Sequence, residues 1–597
     1  MHTFHIPVMG LGFTIDTPVK VAHYGVSSVI SIVDDSLIER MREFYSKKLG
    51  ISYSEISEKV KDYRAQRITS YLDMIDEVVK SRVNELKDSL NHTGEEIHKY
   101  FEMLPDFSEL KLKFNELIAK GESYRTELKE WVHNNIKVGS IDVNIMTKLD
   151  SASYVKNEKL PPEFNQAHAA LRGFALSNLE SSLVLSAGIN PSLYTYIEQF
   201  SDFFPNQDSF IKKKLILKVS DYRSALIQGK FLAKKGLWVS EYRIESGLNC
   251  GGHAFATDGY LMGPILQEFK DRREELILTT HKIFTESLRA KNKFAPSEPL
   301  NIKITAQGGI GTAEEHEFLL KHYGLDSVGW GSPFLLVPEV VNIDEDSLNL
   351  LKNSKEEDLY LSKISPLGVP FNSIRNNSQD IEKMELVEKG RPGSSCPKKY
   401  LTFNTEFTST PICTASRQYQ NEKINELNKQ QLTENEYKSS FQKIIDKACI
   451  CVGLSNPALL VNNMDMKGRS KGVSVCPGPN IAYFNKTLSF KEMVDHIYGR
   501  INVISDSSRP NFFVKELKLY INYLGDLIRE SEANISEKQI NHFNNFRNNL
   551  NDGIEYYKTL FEKYKSKYSH FKDDFHIEIE KLREELINLF SDNKKVA

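Results

Sequence analysis

Eight short apolar runs, most of them separated by helical stretches, constrain the fold of this chain more than any other feature of its sequence. The first two, HIPVMG and SVISIV, lie within the first 35 residues. The other six are IDVNIM (141–146), SSLVLSAG (181–188), KLILKV (214–219), GLWVSEYRIESG (236–247), NIKITAQGG (301–309) and DSVGWG (326–331). Runs this apolar are typical of strands that are buried on both faces of a parallel sheet. Eight of them alternating with helices predict an α/β fold, a (β/α)8 TIM barrel.

Three segments depart from this alternation. Over 36–133, charged stretches with apolar residues three and four apart predict a helical insertion into a barrel that covers 1–377. Residues 378–505 are rich in turn formers and cysteine, which predicts an irregular Cys-containing extension. Residues 506–597 return to helical periodicity. We expect this C-terminal helical region to pack on the barrel or on a second copy of the chain, as in a homo-oligomer.

Charge and hydropathy favour a small-molecule partner. The 597 residues include 77 basic and 80 acidic side chains, for a formal charge of −3, and no long basic block. This balance gives no reason to expect binding to nucleic acid or to an anionic membrane. The N-terminal MHTFHIPVMGLGF lacks the basic and apolar regions of a signal peptide, and no run of 18 apolar residues occurs. We therefore expect a cytoplasmic protein.

Two glycine-rich loops follow the last two predicted strands. AQGGIGT (306–312) comes after the seventh strand and opens a helix, and GWGS (329–332) ends the eighth. Glycines let backbone N–H groups approach an anion, and a helix N-terminus adds partial positive charge. Paired loops at this place in a barrel are typical of a phosphate pocket. A plain strand-to-helix turn is the competing interpretation of GGIG.

The stretch GLNCGGH (247–253) places a histidine directly after two glycines. In one interpretation it is a tight turn with an exposed histidine. In the other, the glycines let the backbone lie against a flat ligand while the imidazole points at it. Because the stretch ends the sixth strand, on the face where barrel active sites form, the second interpretation is favoured. A histidine there can give or take a proton near neutral pH.

Several motifs in the same order resemble one family. GLNCGGH, AQGGIGTAEEHEFLLKHYGLDSVGWGSPFLLVPE and IPVMGLGFTIDTPVKVAHYGVSSVISI are similar to segments of the nitronate monooxygenase (2-nitropropane dioxygenase) family of FMN-dependent barrels, which also includes FMN-dependent enoyl-acyl-carrier-protein reductases. VNIM, SAGINP, LILKV and SPLGVPFNSIRNN extend the likeness. The resemblance spans all eight strands and implies a flavoprotein.

The resemblance also implies roles for individual residues. His253 would be the catalytic residue, placed over the flavin. The implied FMN phosphate ligands are Gly308, Gly309, Gly331 and Ser332, and Asn144 and Lys218 would reach the ribityl chain or the isoalloxazine ring. The turn Met9, Gly10, Leu11 and Gly12 would lie against the ring, and Gly251 and Gly252 would permit close approach of the backbone.

The implied activity is an FMN-dependent oxidoreductase that acts on a small organic substrate. It would either oxidise a nitronate or another carbanion with oxygen, as a monooxygenase, or reduce an activated C=C bond. The electron donor would be NAD(P)H or a protein. Asn249 and Cys250 replace the usual acidic residue and alanine, which leaves the substrate and the direction open. The alternative is a non-catalytic flavin- or phosphate-binding component of a larger assembly.

Cysteines form the second chemical feature. Cys250 is either a reactive thiol near the flavin or a small buried filler. The other five lie beside proline, glycine or small residues, as in loops that present thiolates to a metal; they are Cys396, Cys413, Cys449, Cys451 and Cys476. Four thiolates would suit zinc or an iron–sulfur cluster. Their irregular spacing leaves structural free thiols as the competing interpretation.

Overall fold

The computed structural model describes residues 1–91, 94–121, 125–147, 149–155, 158–253, 258–466, 469–531, 535–568, 571 and 573–591. Eight parallel strands close into a barrel in the order β1-β8-β7-β6-β5-β4-β3-β2. The strands are β1 (Phe4–Ile6), β2 (Ser27–Ser31), β3 (Ile141–Ile145), β4 (Ser181–Leu185), β5 (Lys213–Val219), β6 (Val239–Glu245), β7 (Lys303–Gln307) and β8 (Ser327–Gly329). The predicted TIM barrel is confirmed, with one strand in each predicted run.

The barrel interior carries both an apolar layer and a charged one. Val29, Val184 and Ile216 pack with Val8 in a cluster separate from the main core. Glu241, Arg243 and Glu245 alternate along β6 and therefore share one face of the strand. Arg243 is buried and lies 2.7 Å from the Glu241 carboxylate, which also accepts a 2.6 Å hydrogen bond from Thr305. These contacts compensate the charges that the sheet encloses.

Helices surround the barrel. Helix α1 (Thr17–Val21) joins β1 to β2. Five helices form the insertion between β2 and β3: α2 (Asp35–Leu49), α3 (Tyr63–Asp88), α4 (Glu95–Met103), α5 (Glu109–Ala119) and α6 (Arg125–Asn135). The later βα units contribute α7 (Gln166–Leu176), α8 (Pro191–Ile197), α9 (Tyr222–Ala233), α10 (Met262–Asp271), α11 (Arg273–Ala290) and α12 (Ala313–Tyr323). A two-residue ribbon pairs Tyr154–Val155 with Glu158–Lys159.

The chain after β8 is more regular than the sequence predicts. It holds α13 (Glu345–Lys352) and an antiparallel hairpin of β9 (Leu359–Ser362) and β10 (Phe371–Ile374). Six helices follow: α14 (Ser378–Glu388), α15 (Arg417–Leu427), α16 (Glu434–Ile445), α17 (Ile450–Gly453), α18 (Asn456–Val461) and α19 (Phe490–Ile497). Capping boxes begin α16 and α19, where Thr433 and Ser489 bind the backbone of the first turn. The extension predicted as irregular is therefore partly helical.

Three helices end the chain: α20 (Phe512–Ser531), α21 (Glu537–Tyr564) and α22 (Asp573–Ser591). They pack on the barrel, since the Tyr520 hydroxyl accepts from the Gly247 amide at 3.1 Å and the Tyr556 and Tyr323 hydroxyls lie 3.0 Å apart. The division of the chain at residues 377 and 505 stays a prediction. Of the helices described, none is long and apolar enough to cross a membrane by itself, and one pair bent by 42°, α16 with Ile450–Val461, passes that test by length and composition.

A buried carboxyl group fastens α20 to the loop after β6. Glu516 accepts a hydrogen bond from the Ser246 hydroxyl at 2.5 Å and another from the Met262 amide at 2.8 Å. Burial raises the pKa of this carboxyl to about 7. A raised native pKa means that the folded chain binds the proton more tightly than the unfolded chain, whose glutamate titrates near 4.5.

Glu516→Gln should remove a pH dependence of stability. In the wild type, the stabilisation from protonated Glu516 is fully present below pH 4.5 and is lost as pH rises to about 7. That loss amounts to about 3 kcal/mol, whereas glutamine stays neutral. We expect the free energy of unfolding, measured by urea denaturation from pH 4.5 to 8, to fall less steeply in the variant. Exposed Glu585→Gln is the matched control, and equal slopes in all three proteins would contradict the assignment.

Candidate functional site

A cavity of about 140 Å³ opens at the C-terminal ends of the barrel strands. Since one water needs about 10–15 Å³ measured in this way, the cavity has room for a small organic molecule. Its walls are mostly apolar. The polar groups come from β3, β5 and β6 and from the loop after β6; they include Asn144, Lys218, Glu245, Asn249 and His253. This is the face on which barrel enzymes carry their active sites.

Two polar side chains at the base of the cavity, Lys218 and Asn144, differ in whether their polar atoms have partners. The Lys218 ammonium lies 2.9 Å from the Glu245 carboxylate. That carboxylate also accepts from the Asn249 amide at 2.7 Å and from the Gln307 amide at 2.6 Å. In contrast, the buried Oδ1 of Asn144 has no hydrogen-bond donor among the described residues. An orphaned acceptor of this kind is the natural partner of a ligand N–H or O–H group.

His253 reaches the cavity from a loop whose backbone conformation requires glycine. Gly251 and Gly252 have φ of +114° and +105°, values that favour glycine, and a Cβ at Gly251 would lie 2.7 Å from the Val8 carbonyl oxygen. The His253 Nε2 lies 2.7 Å from the Ser365 hydroxyl, and its ring meets Phe371 edge-on with centroids 5.3 Å apart. The stretch is therefore both a tight turn and the support of an imidazole that lines the cavity.

The hairpin after β8 holds this loop in place. The Asn372 amide nitrogen donates to the Gly252 carbonyl at 2.9 Å, and the Asn372 side chain donates to the Asn249 carbonyl at 2.9 Å. Asn372 is buried, so these hydrogen bonds are shielded from water. The position of His253 thus depends on a segment more than a hundred residues away in the chain.

The β9–β10 hairpin and the extension together form the roof of the cavity. The hairpin contributes Leu367, Val369 and Phe371 to the lining, and the extension contributes Tyr400, Leu401, Ile450, Cys451 and Leu454. Sequence reasoning missed them, because apolar residues in a segment without strand or helix periodicity carry no signal of what they cover. It also missed Glu245, although a carboxylate at the end of an otherwise buried strand was visible in the sequence.

Asp34 fastens the roof to the barrel. This buried carboxylate follows β2 and pairs with the Lys398 ammonium. It also accepts from the Tyr400 hydroxyl at 2.9 Å and from the Ser455 hydroxyl at 2.6 Å. Burial alone would raise the pKa of Asp34, but the charge of Lys398 and the hydrogen bonds from Lys398, Ser455 and Leu37 lower it to about 2. The side chains that bind Asp34, those of Lys398, Tyr400 and Ser455, belong to the extension.

The predicted phosphate pocket is covered by the chain itself. At the N-terminus of α12, the Glu315 carboxylate accepts from the Gly311 and Thr312 amides at 2.9 and 3.3 Å. Arg509 pairs with Glu315 at 2.8 Å and donates to the Gly309 carbonyl at 2.8 Å. The positive end of the helix therefore already holds a carboxylate in this structure, and the phosphate site stays a prediction.

Segment 476–480 occupies the space beside the other phosphate ligands. The Gly478 amide donates to the Ser332 hydroxyl at 2.8 Å, and the Cys476 thiol contacts the Met9 carbonyl at 3.6 Å. The structure thus divides the predicted cofactor residues. Those that line the cavity are Gly10, Leu11, Asn144, Lys218 and Gly251, together with His253, while Met9, Gly12, Gly252, Gly308, Gly309, Gly331 and Ser332 lie outside its lining. A segment so distant in sequence could not be placed there from local patterns.

Cys250 packs as a small buried group. Its side chain is 3% exposed, and its thiol donates to the Cys476 carbonyl at 3.4 Å. Burial raises the pKa of this thiol to about 12. Because the thiolate is the reactive form of cysteine, this environment favours the filler interpretation over a reactive thiol.

The predicted metal or iron–sulfur site is not formed by the described residues. No three of their His, Cys, Asp or Glu side chains are arranged to hold a metal ion. The cysteines fall into two places instead. Cys476 lies beside Cys250, whose thiol donates to its carbonyl. The other four lie near one another in the extension; they are Cys396, Cys413, Cys449 and Cys451. The turn-forming neighbours of these cysteines serve chain reversal rather than a shared ligand set.

Comparison with known proteins adds little to this geometry. No protein-family model and no curated protein matches the chain. Among solved structures, the chain is similar to the enoyl reductase domain of MlnA from the macrolactin biosynthesis cluster of Bacillus amyloliquefaciens, with 13% identity, 64% of this chain and 85% of that chain covered, and a TM-score of 0.33. A mutant of FabK from Thermotoga maritima shows 10% identity, coverage of 67% and 82%, and a TM-score of 0.30. Values this low carry no inference about function.

Lys398→Met should loosen the roof of the cavity. The substitution leaves the Asp34 carboxylate buried without its cation, which costs about 3–5 kcal/mol of folding free energy. Lys389→Met, which removes an exposed lysine paired with Glu385, should cost less than about 1 kcal/mol. Urea denaturation at pH 7 measures both. The double variant Lys398→Met, Asp34→Asn should recover part of the loss, and equal stability of the two lysine variants would refute the role assigned to Lys398.

Proposed function

We propose that this chain is a flavin-dependent oxidoreductase of the FMN class that acts on a small organic substrate at the barrel mouth. The observation that carries the proposal is the meeting of Asn144, Lys218 and His253 in one mostly apolar cavity. These are the residues that the resemblance to nitronate monooxygenases assigns to the flavin and the reaction. The Oδ1 of Asn144, which accepts no hydrogen bond from any described residue, supports a ligand with a polar donor at this point.

The cavity suits a flat ring better than a phosphate. Backbone at Gly10 and Gly251 forms part of its wall, and the side chains above are apolar. Asn144 and Lys218 would hold the polar edge of the ring, while the glycines would let the backbone approach its face. A bound flavin would supply hydride or electron transfer to or from a carbon atom of the substrate.

His253 would move the proton that accompanies this chemistry. The Ser365 hydroxyl, itself fully buried, fixes the imidazole through Nε2, and Phe371 limits its rotation. A ring held in this way can present its other edge to the cavity without losing orientation. The apolar walls exclude water and favour a substrate with a hydrocarbon body, for which a nitronate and an activated alkene are both suitable.

A direct test compares two flavins that differ only in the phosphate. Because segment 476–480 and Arg509 cover the phosphate end, we expect FMN and riboflavin to bind with dissociation constants within about tenfold of each other. Asn144→Ala should weaken both equally, by about 1–2 kcal/mol, since it removes one buried hydrogen bond to the ring. Flavin fluorescence quenching measures the affinities.

Asn541→Ala, on the exposed side of α21, is the matched control for this test. Preference for FMN by more than about a hundredfold would show that the phosphate end opens on binding. Protein that binds neither flavin would contradict the proposal and favour a non-catalytic component.

His253→Ala should separate flavin binding from chemistry. His253 is one of many residues that line the cavity, so flavin affinity should change little. Turnover should fall by roughly 10²–10⁴-fold if the imidazole transfers the proton. Two assays measure it: oxygen uptake with an alkyl nitronate, and NAD(P)H oxidation with an enoyl thioester.

His133→Ala, on the exposed face of α6, controls for loss of a histidine. A His253→Ala variant with full flavin content and full turnover would assign the loop to a structural turn.

A further inference from the structure

A serine, a histidine and an aspartate meet at the rim of the barrel, outside the proposed flavin site. Ser192 lies in the first turn of α8, and His168 lies in the first turn of α7. The Ser192 hydroxyl lies 3.4 Å from the His168 Nε2, and the His168 Nδ1 lies 2.7 Å from the Asp150 carboxylate. This order of contacts is that of a nucleophile, its base and the carboxylate that supports the base.

Hydrogen bonds to the backbone fix the three side chains relative to one another. Asn190 caps α8: its side-chain oxygen accepts from the Leu193 amide at 3.0 Å, and its side-chain nitrogen donates to the Thr147 carbonyl at 2.9 Å. The start of α8 is thereby joined to the loop after β3, which also carries Asp150. Asp150 in turn accepts from the Ala167 amide of α7 at 3.0 Å. Two neighbouring βα units therefore hold the group together.

The histidine and the serine differ in exposure. His168 is 3% exposed, whereas Ser192 is exposed to solvent. The His168 Nδ1 lies off the axis of a hydrogen bond to the carboxylate, so the support from Asp150 is electrostatic. An imidazole that takes a proton becomes a cation, and a carboxylate this close stabilises that cation at a buried site. The base is thus shielded from water, while the nucleophile is accessible from outside.

A surface groove of about 750 Å³ gives access to this group. Ser192 and His168 both line the groove, together with Tyr196 and Glu163. The residues that line it are all different from those that line the cavity at the barrel mouth. Its described lining contains the carboxylate of Glu163 and neither lysine nor arginine. This charge favours a neutral or cationic ligand over an anionic one.

Tyr196 supplies a hydrogen-bond donor for negative charge. It follows Ser192 by four residues on α8, so both side chains lie on one face of the helix. The rings of Tyr196 and His168 are neighbours, with centroids 5.1 Å apart. The Tyr196 oxygen accepts from the Arg172 guanidinium at 2.7 Å, which makes the phenolic O–H a stronger donor. A carbonyl oxygen that becomes negative when Ser192 attacks would receive this hydrogen bond.

We propose that Ser192 and His168 form a second catalytic site, which hydrolyses small carboxylic esters of neutral or cationic alcohols. The Ser192 Oγ attacks the ester carbonyl carbon while the His168 Nε2 takes the hydroxyl proton. The C–O bond to the alcohol then breaks, and His168 returns the proton to the departing alcohol, which leaves an acyl-serine.

A water molecule completes the reaction. It gives a proton to His168 and attacks the acyl carbon, and His168 returns that proton to the Ser192 oxygen as the carboxylic acid leaves. One ester and one water thus become one acid and one alcohol. The hydrolysis needs no flavin, so its failure and the failure of the oxidoreductase proposal are separate results.

Covalent labelling of the wild-type chain is the first test. An alkyl fluorophosphonate reacts with serines that a neighbouring base activates, and mass spectrometry of the digested protein locates the adduct. We expect one adduct, on Ser192. His168→Gln should lose it although the serine is still present. No adduct, or an adduct on another residue alone, would overturn the proposal, and the wild-type map gives this answer even where a variant fails to fold.

Hydrolysis of p-nitrophenyl acetate, followed by absorbance over many turnovers per chain, is the second test. Ser192→Ala and His168→Gln should each lower kcat/KM by about 10²–10⁴-fold. Tyr196→Phe should lower it by about 10²–10³-fold. Ser81→Ala, which changes an exposed serine of α3, is the matched control and should retain the wild-type rate. Circular dichroism checks that each variant is folded.

Asp150→Asn tests the carboxylate as a positioning residue. Asparagine keeps an oxygen that can accept from the first turn of α7 but removes the charge beside His168. We expect kcat to fall and KM to stay the same, because the substrate does not touch this side chain. An unchanged kcat would refute the role of Asp150. Equal hydrolysis by the wild type, Ser192→Ala and His168→Gln would overturn the whole proposal.

Discussion

The charge on Asp34 is the interaction on which the arrangement of the barrel mouth depends. A carboxylate that is 1% exposed carries a desolvation penalty that only a nearby cation and hydrogen-bond donors can offset. The Ser36 hydroxyl and the Leu37 amide, which follow Asp34 in the chain, supply two of the donors but no positive charge. Lys398, Tyr400 and Ser455 come from two separate parts of the extension, and each reaches the same carboxylate. Closure of the extension over the strand ends therefore both buries the carboxylate and supplies the cation and the hydroxyl groups that compensate it.

Closure of this kind gives the cavity its two-layered composition. The lower layer consists of strand ends that present Asn144, Lys218 and Glu245, and the upper layer consists of apolar side chains from the β9–β10 hairpin and the extension. Polar groups below and apolar groups above favour a ligand with one hydrogen-bonding edge and an apolar body. The same closure places Gly478 and Arg509 against the loops after β7 and β8. One packing event thus shapes the cavity and fills the neighbouring space.

The sequence predicted the barrel well, because parallel strands that are buried on both faces consist of continuous apolar runs. It also predicted His253, Asn144 and Lys218 at one site, since strand ends in a barrel meet at one face. The extension was harder. Its helices are short, and capping boxes rather than periodicity mark where two of them begin.

Long-range contacts account for the remaining differences. Glu315 stands where a helix-capping residue is expected, and no residue near it in the sequence indicates that it pairs with Arg509. The grouping of Cys396 with Cys413, apart from Cys476, depends on how loops fold back, which the spacing of cysteines does not determine.

Two elements from later parts of the chain, α20 and β10, hold the loop that carries His253. Tyr520 of α20 holds its first residue, Gly247, and Asn372 of β10 holds its middle and end. Because proteins are synthesised from the N-terminus, the strands of the barrel leave the ribosome before Asn372 and Tyr520 have been synthesised. The loop that carries His253 can reach its final conformation only after α20 has left the ribosome. The barrel mouth therefore cannot be completed before α20 is synthesised, and a product of translation that ends before α20 would carry a barrel without a finished site.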